Sequence, residues 1–72
     1  MTLNGVSILR AALRNRVADE RAFAAFVREA DRPDAEQLAA ALEAEALAYL
    51  VHGTQRLDAI EAALAAEQGV AA

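Results

Sequence analysis

The chain of 72 residues contains no cysteine, no lysine and no tryptophan, and it has one proline, one histidine, one serine and three glycines. Without cysteine there is no disulfide scaffold, no thiolate metal site and no thiol nucleophile, and the composition is compatible with a reducing compartment. With a single serine, Ser7, and a single histidine, His52, a serine–histidine nucleophilic pair has one candidate, and no Gly-x-Ser-x-Gly elbow or glycine-rich phosphate loop frames it. The longest uncharged stretch, residues 46–55, is about half of the roughly 20 residues a membrane-spanning helix requires. Residues 1–7 lack the basic start of a secretory leader, and Arg10, Arg14 and Arg16 interrupt any apolar run that follows, so a cytoplasmic protein is expected. All seven cations are arginine, and alanine dominates the rest. That bias is typical of GC-rich coding and points to a bacterial, phage or mobile-element source.

A chain this short makes one domain, expected over residues 1–68 with a frayed tail at 69–72, and a domain of this size buries only about 60% of its unfolded surface. Alanine methyls remove little area from water, whereas a buried Leu, Val or Phe contributes roughly 1.5–3 kcal/mol. The expected core therefore rests on few large side chains: Ile8, Leu9, Leu13, Val17, Phe23, Phe26, Val27, Leu38, Leu42, Leu47, Tyr49, Leu50, Val51, Leu57, Ile60 and Leu64. With neither disulfide nor metal to add to them, oligomerisation is the expected supplement.

The breakers predict an all-α fold of three to four short helices. Asn4 is placed to cap a first helix over about residues 6–17, with Val6, Leu9, Leu13 and Val17 on one side. Were that helix to run on to residue 30, Glu20 would fall in the middle of its apolar stripe and Phe23 and Phe26 would rotate away. A break near Ala18, with Asp19 capping a second helix over about 20–30, avoids this cost. Pro33 disfavours helical geometry at Arg32 and suits the start of a third helix, running to His52. Gly53 and Thr54 then read as a helix stop and a new cap, so that a fourth helix, about 55–68, folds back on the third as a C-terminal helical hairpin. The small bundle is expected to be completed by oligomerisation.

The third of these helices is the most informative stretch. Leu38, Leu42 and Tyr49 fall on one side, Leu47 and Val51 lie well round from them, and Leu50 bridges the groups. A helix that is apolar on several sides needs several neighbours. Leu47, Tyr49, Leu50 and Val51 are the expected protein interface, with Tyr49 the anchor because an aromatic ring with a polar tip suits such surfaces.

Chemistry fares less well. Glu43, Glu45, Tyr49 and His52 share this helix, but no Glu-x-x-His pair and no second histidine occurs, so no metal and no cofactor is expected. The carboxylate pairs Asp19/Glu20 and Glu43/Glu45 point in different directions on a helix, and the chain is expected not to be an enzyme. Charge is uneven. Residues 1–33 carry six arginines against four acids, a formal +2, and residues 34–72 carry Arg56 against seven acids, a formal −6. Arg10, Arg14, Arg21 and Arg28 make a small dimeric DNA-binding regulator the competing reading, although the helix that would read DNA presents Asp34, Glu36, Glu43 and Glu45, which phosphate repels. The favoured expectation is a small adaptor, inhibitor or chaperone-like accessory protein that covers a protein partner or a second copy of itself. No membrane, nucleic acid or small-molecule partner is expected.

Overall fold

Two long helices, rather than three or four short ones, form the computed structural model of the chain, which describes residues 2–70. Helix α1 spans Leu3–Arg28 and helix α2 spans Ala35–Val70. At 1.5 Å per residue they measure about 39 and 54 Å. They pack antiparallel as a hairpin 60 Å long and only 15 by 11 Å across. Residues in register sum to about 66: Arg10 meets Asp58, Gly53 lies on Leu13 and Arg16 stacks on Tyr49. Counting from this register, the C-terminal turns of α2 project beyond the start of α1.

The entry to α1 is capped two residues earlier than Asn4 would allow. Thr2 has extended backbone, and its Oγ1 accepts a hydrogen bond of 3.1 Å from the Gly5 N–H. Helix α1 closes at Glu29, whose N–H still donates to the Ala25 carbonyl at 3.3 Å. The connection then turns through Ala30 to Asp34 around Pro33, as the sequence indicates. Arg32 grips Asp34 through two guanidinium nitrogens, with the Nη2–Oδ2 contact at 3.0 Å. This bidentate pair braces the turn across the proline.

The seam between the helices is built from small side chains. Its buried apolar residues are Val6, Val17 and Ala24 on α1 and Ala35, Ala39, Ala46 and Leu57 on α2. With the half-buried Arg10, Leu13 and Val27, the α1 positions 6, 10, 13, 17, 20, 24 and 27 form an unbroken heptad stripe. Helix α2 keeps a different period. Ala35, Ala46 and Leu57 are spaced by eleven, as are Leu42, Gly53 and Leu64.

Both missing breaks have a physical reason. The heptad stripe of α1 carries Glu20 into the seam, where it is 7% exposed and its Oε2 has no hydrogen-bond partner. The helix accepts that cost instead of ending at Ala18, and Phe23 and Phe26 rotate out, to 55% and 71% exposure. At the second position, Gly53 is an ordinary helical residue with no positive φ. A Cβ there would lie 2.8 Å from both Leu13 methyl carbons, so glycine gives Leu13 its seat. Thr54 is accordingly inside α2, and the hairpin bend lies at Pro33 and not in the C-terminal half. The expected frayed tail begins as helix, since α2 includes Gly69, while Ala71 and Ala72 lie outside the described residues.

The expected core is likewise redistributed. Ile8, Leu9, Phe23, Phe26, Leu38, Leu47, Tyr49 and Val51 are all exposed. Alanines hold the positions that face the other helix, so larger side chains are left beside the seam or behind it.

Two substitutions probe this seam. Glu20→Leu removes an unpartnered buried polar atom, a defect of about 1–3 kcal/mol, and should raise the urea midpoint of unfolding followed by circular dichroism. Gly53→Val overfills the seat of Leu13, an insult typically of about 1–3 kcal/mol, and should lower that midpoint. The same change made together with Leu13→Ala should cost less than the two single changes added.

Candidate functional site

The register and the helical periods give the hairpin two unlike flanks. On one, Ser7, Arg14, Arg21 and Arg28 follow one another every seven residues along α1, beside Glu36, Glu43, Leu47 and Asp58 of α2. Arg28 bridges Glu36 at 2.9 Å and also pairs with Glu43. At the far end Arg10 reaches Asp58 at 2.7 Å and Glu61 at 3.5 Å. All ion pairs that join the two helices among the described residues therefore involve these two arginines. They latch the seam along this side, through partly exposed contacts that salt weakens.

The other flank is apolar. Leu9, Arg16 and Phe23 recur at intervals of seven on α1, with Phe26 beside them, and Leu38, Tyr49 and Ile60 recur at intervals of eleven on α2. Two grooves run along it. One, of about 540 Å³, is lined by Phe23, Phe26, Val27, Leu38 and Leu42 near the turn. The other, of about 420 Å³, is lined by Leu13, Ala48, Tyr49, His52, Gly53 and Arg56. Glu45 borders both, which makes them one surface. At its middle the Arg16 guanidinium carbon lies 4.8 Å from the centre of the Tyr49 ring, a cation–π contact that fixes both side chains.

Neither a protein-family model, nor a curated protein, nor a solved structure matches this chain. The site is accordingly read from its own residues.

The expected interface residues do not form one patch. Leu47, 54% exposed, borders a groove on the ionic flank with Arg21, Arg28 and Glu43, and Val51 lies one turn on from it. Tyr49, 42% exposed, belongs to the apolar flank, and Leu50 is half-buried at the seam. Phe23 and Phe26, assigned to the core from their spacing, are the largest apolar side chains on the surface. Their signal was present in the sequence, in the rotation that an unbroken α1 imposes on them. The arginines of the nucleic-acid reading are divided too. Arg10 and Arg28 are committed to carboxylates of α2, and Arg14 and Arg21 have no ion pair among the described residues. Glu43 is tied to Arg28, while Glu45 and His52 border the same groove; no cluster of three or more potential metal ligands occurs among the described residues. No described helix is long and apolar enough to cross a membrane.

The turn perturbs the ionisation of Asp34. The Arg32 guanidinium, hydrogen-bonded to both Asp34 oxygens, holds the Asp34 carboxyl below its ordinary range. Because the folded value is the lower one, the contribution of this pair is complete above the unfolded pKa of about 3.9 and is lost as pH falls through the folded value. In an NMR titration Asp34 should protonate below the ordinary aspartate value of about 3.9, and Arg32→Ala should move its midpoint up toward that value.

Proposed function

We propose that the chain is a non-catalytic, cytoplasmic protein-binding module, of adaptor, inhibitor or chaperone-like kind, that acts by burying its apolar flank against another polypeptide. The observation that carries this reading is the row formed by Leu9, Phe23, Phe26, Leu38 and Tyr49, all more than a third exposed on one side of a hairpin whose other side is closed by ion pairs. Isolated apolar residues on a surface need no explanation, but a contiguous strip bordered by charges is the usual mark of a contact site. Each large side chain buried there contributes roughly 1.5–3 kcal/mol. Phe23 and Phe26 supply the greasy area, and Tyr49, held by Arg16, supplies a pre-oriented anchor with a polar tip. Leu47 and Val51 offer a second, smaller contact on the opposite flank.

The DNA-regulator reading draws less support from the same surface. The arginine flank interleaves Arg10, Arg14, Arg21 and Arg28 with Glu36, Glu43, Asp58 and Glu61, a formally neutral strip, and phosphate binding depends on an excess of cations.

A photo-reactive amino acid placed at Phe26, with the same group at Ile8 on the back of α1 as control, checks the proposal in the cell that encodes the chain. Covalent adducts to polypeptide should form at position 26 well above the control. Adducts that form equally at both sites, or to nucleic acid alone, would remove the protein-binding reading.

A further inference from the structure

If the apolar flank is a protein contact, the geometry points to its occupant: a second copy of this chain, laid on it end to end in reverse to make an antiparallel four-helix bundle. This inference rests on the protein-binding reading and names its partner. Three observations lead to it.

The first is area. A folded monomer of 7.6 kDa is expected to expose about 4,300 Å², and this hairpin exposes 5210 Å². The difference, about 900 Å², matches the roughly 800 Å² that each partner contributes to a stable interface. The second is symmetry. A surface that binds its own copy about a two-fold axis must be complementary to itself when reversed, so that residue i meets j and j meets i. Along α1 the flank reads Leu9, Arg16, Phe23, apolar on either side of residue 16. Along α2 it carries Glu45 and Arg56, three helical turns apart on one face, with their midpoint between Leu50 and Val51. The hairpin register places residue 16 of α1 level with residues 49–50 of α2, through the Arg16–Tyr49 and Leu13–Gly53 contacts. The two centres therefore coincide, and one axis serves both helices.

The third is charge. About that axis Leu9 of one copy covers Phe23 of the other, Glu45 of each meets Arg56 of the other, and the two Arg16 guanidiniums flank the axis, each stacked on its own Tyr49 and near its own Glu45. Neither Glu45 nor Arg56 has an ion pair within the hairpin among the described residues, and Ala48 beside the axis lets the two α2 backbones come close. With Asp19, seven residues before Phe26, and the Arg32–Asp34 pair at the turn, the flank carries Arg16, Arg32 and Arg56 against Asp19, Asp34 and Glu45, so it is formally neutral although the chain is −4. The ionic flank stays outside, in water.

Sedimentation equilibrium on the full chain should give twice 7.6 kDa. Glu45→Arg and Arg56→Glu, each alone, should weaken the dimer by about tenfold or more while helical circular dichroism persists. An equimolar mixture of the two variants should recover it, because both 45–56 contacts in the mixed dimer again join opposite charges. The chain has no cysteine of its own, so orientation can be read by oxidation. His52→Cys sits within a turn of the axis and should cross-link, whereas the two copies of Phe26→Cys are about 30 Å apart along the bundle and should not. A wild-type mass of one chain, a mixture no heavier than its components, or preferential linkage through Phe26→Cys would overturn the inference. Photo-adducts at Phe26 to some other protein would in that case still leave the protein-binding reading standing.

Discussion

Everything in this molecule follows from how closely two helices approach over methyl groups. Ala24, Ala35, Ala39 and Ala46, with Gly53 under Leu13, make a narrow seam that admits no phenylalanine and leaves Leu3, Leu9, Leu38 and Leu47 outside it. A narrow seam buries little apolar area, so the two helices are held by a thin core and by the arginine latches at either end of one flank. It also expels the bulky apolar side chains. Leu9, Phe23, Phe26, Leu38 and Tyr49 collect on the opposite flank, where nothing within one hairpin covers them, while Leu47 and Val51 lie on the ionic side and Ile8 on the back. The proposed contact surface is thus the complement of the folding solution, made of the residues the seam cannot accommodate.

The two flanks differ because the two periods combine with two kinds of residue. On α1, positions 14, 21 and 28 are arginine, and the equivalent positions across the seam, 9, 16 and 23, are leucine, arginine and phenylalanine. On α2 the acids Glu36, Glu43 and Asp58 face the first row, and Leu38 and Tyr49 face the second. Opposite charge closes one side, and shared apolarity leaves the other open. The half-and-half distribution of charge along the chain, basic before Pro33 and acidic after it, becomes in the folded hairpin a set of cross-helix pairs.

Much of this was legible before any coordinates. The all-helical class, the turn at Pro33 and the two-sided apolarity of the stretch around Leu47 to Val51 all appear in the spacing of residues. So does the placement of Glu20 in the α1 stripe and the outward rotation of Phe23 and Phe26. What spacing alone did not decide was whether the chain would accept that placement. A break at Ala18 would have ended hydrogen bonding that an unbroken α1 keeps, and one buried carboxylate costs less than dividing a helix that has so few other contacts. Gly53 misled for a related reason. A glycine between apolar segments signals a stop when its φ is positive, but here it marks a close approach from Leu13, a contact forty residues distant in sequence that local pattern does not contain. Of the expected core, Val17 and Leu57 are buried and Leu13, Val27, Leu42, Leu50, Ile60 and Leu64 are half-buried, whereas the other large side chains are exposed because alanine methyls occupy much of the seam.

The unequal repeats of the two helices set a limit of their own. A stripe repeating every seven residues drifts one way around a straight helix, by roughly 20° per repeat, and one repeating every eleven drifts the other way. Over the seam, three heptads of α1 drift by about 60° and two elevens of α2 by about 40° in the opposite sense, which the winding of the helices and their side chains must absorb. Duplicating the repeats to lengthen the hairpin would carry the facing stripes steadily out of alignment, so growth by tandem copying, which suits ordinary coiled coils, is closed to this one, and its short reach is written into its arithmetic.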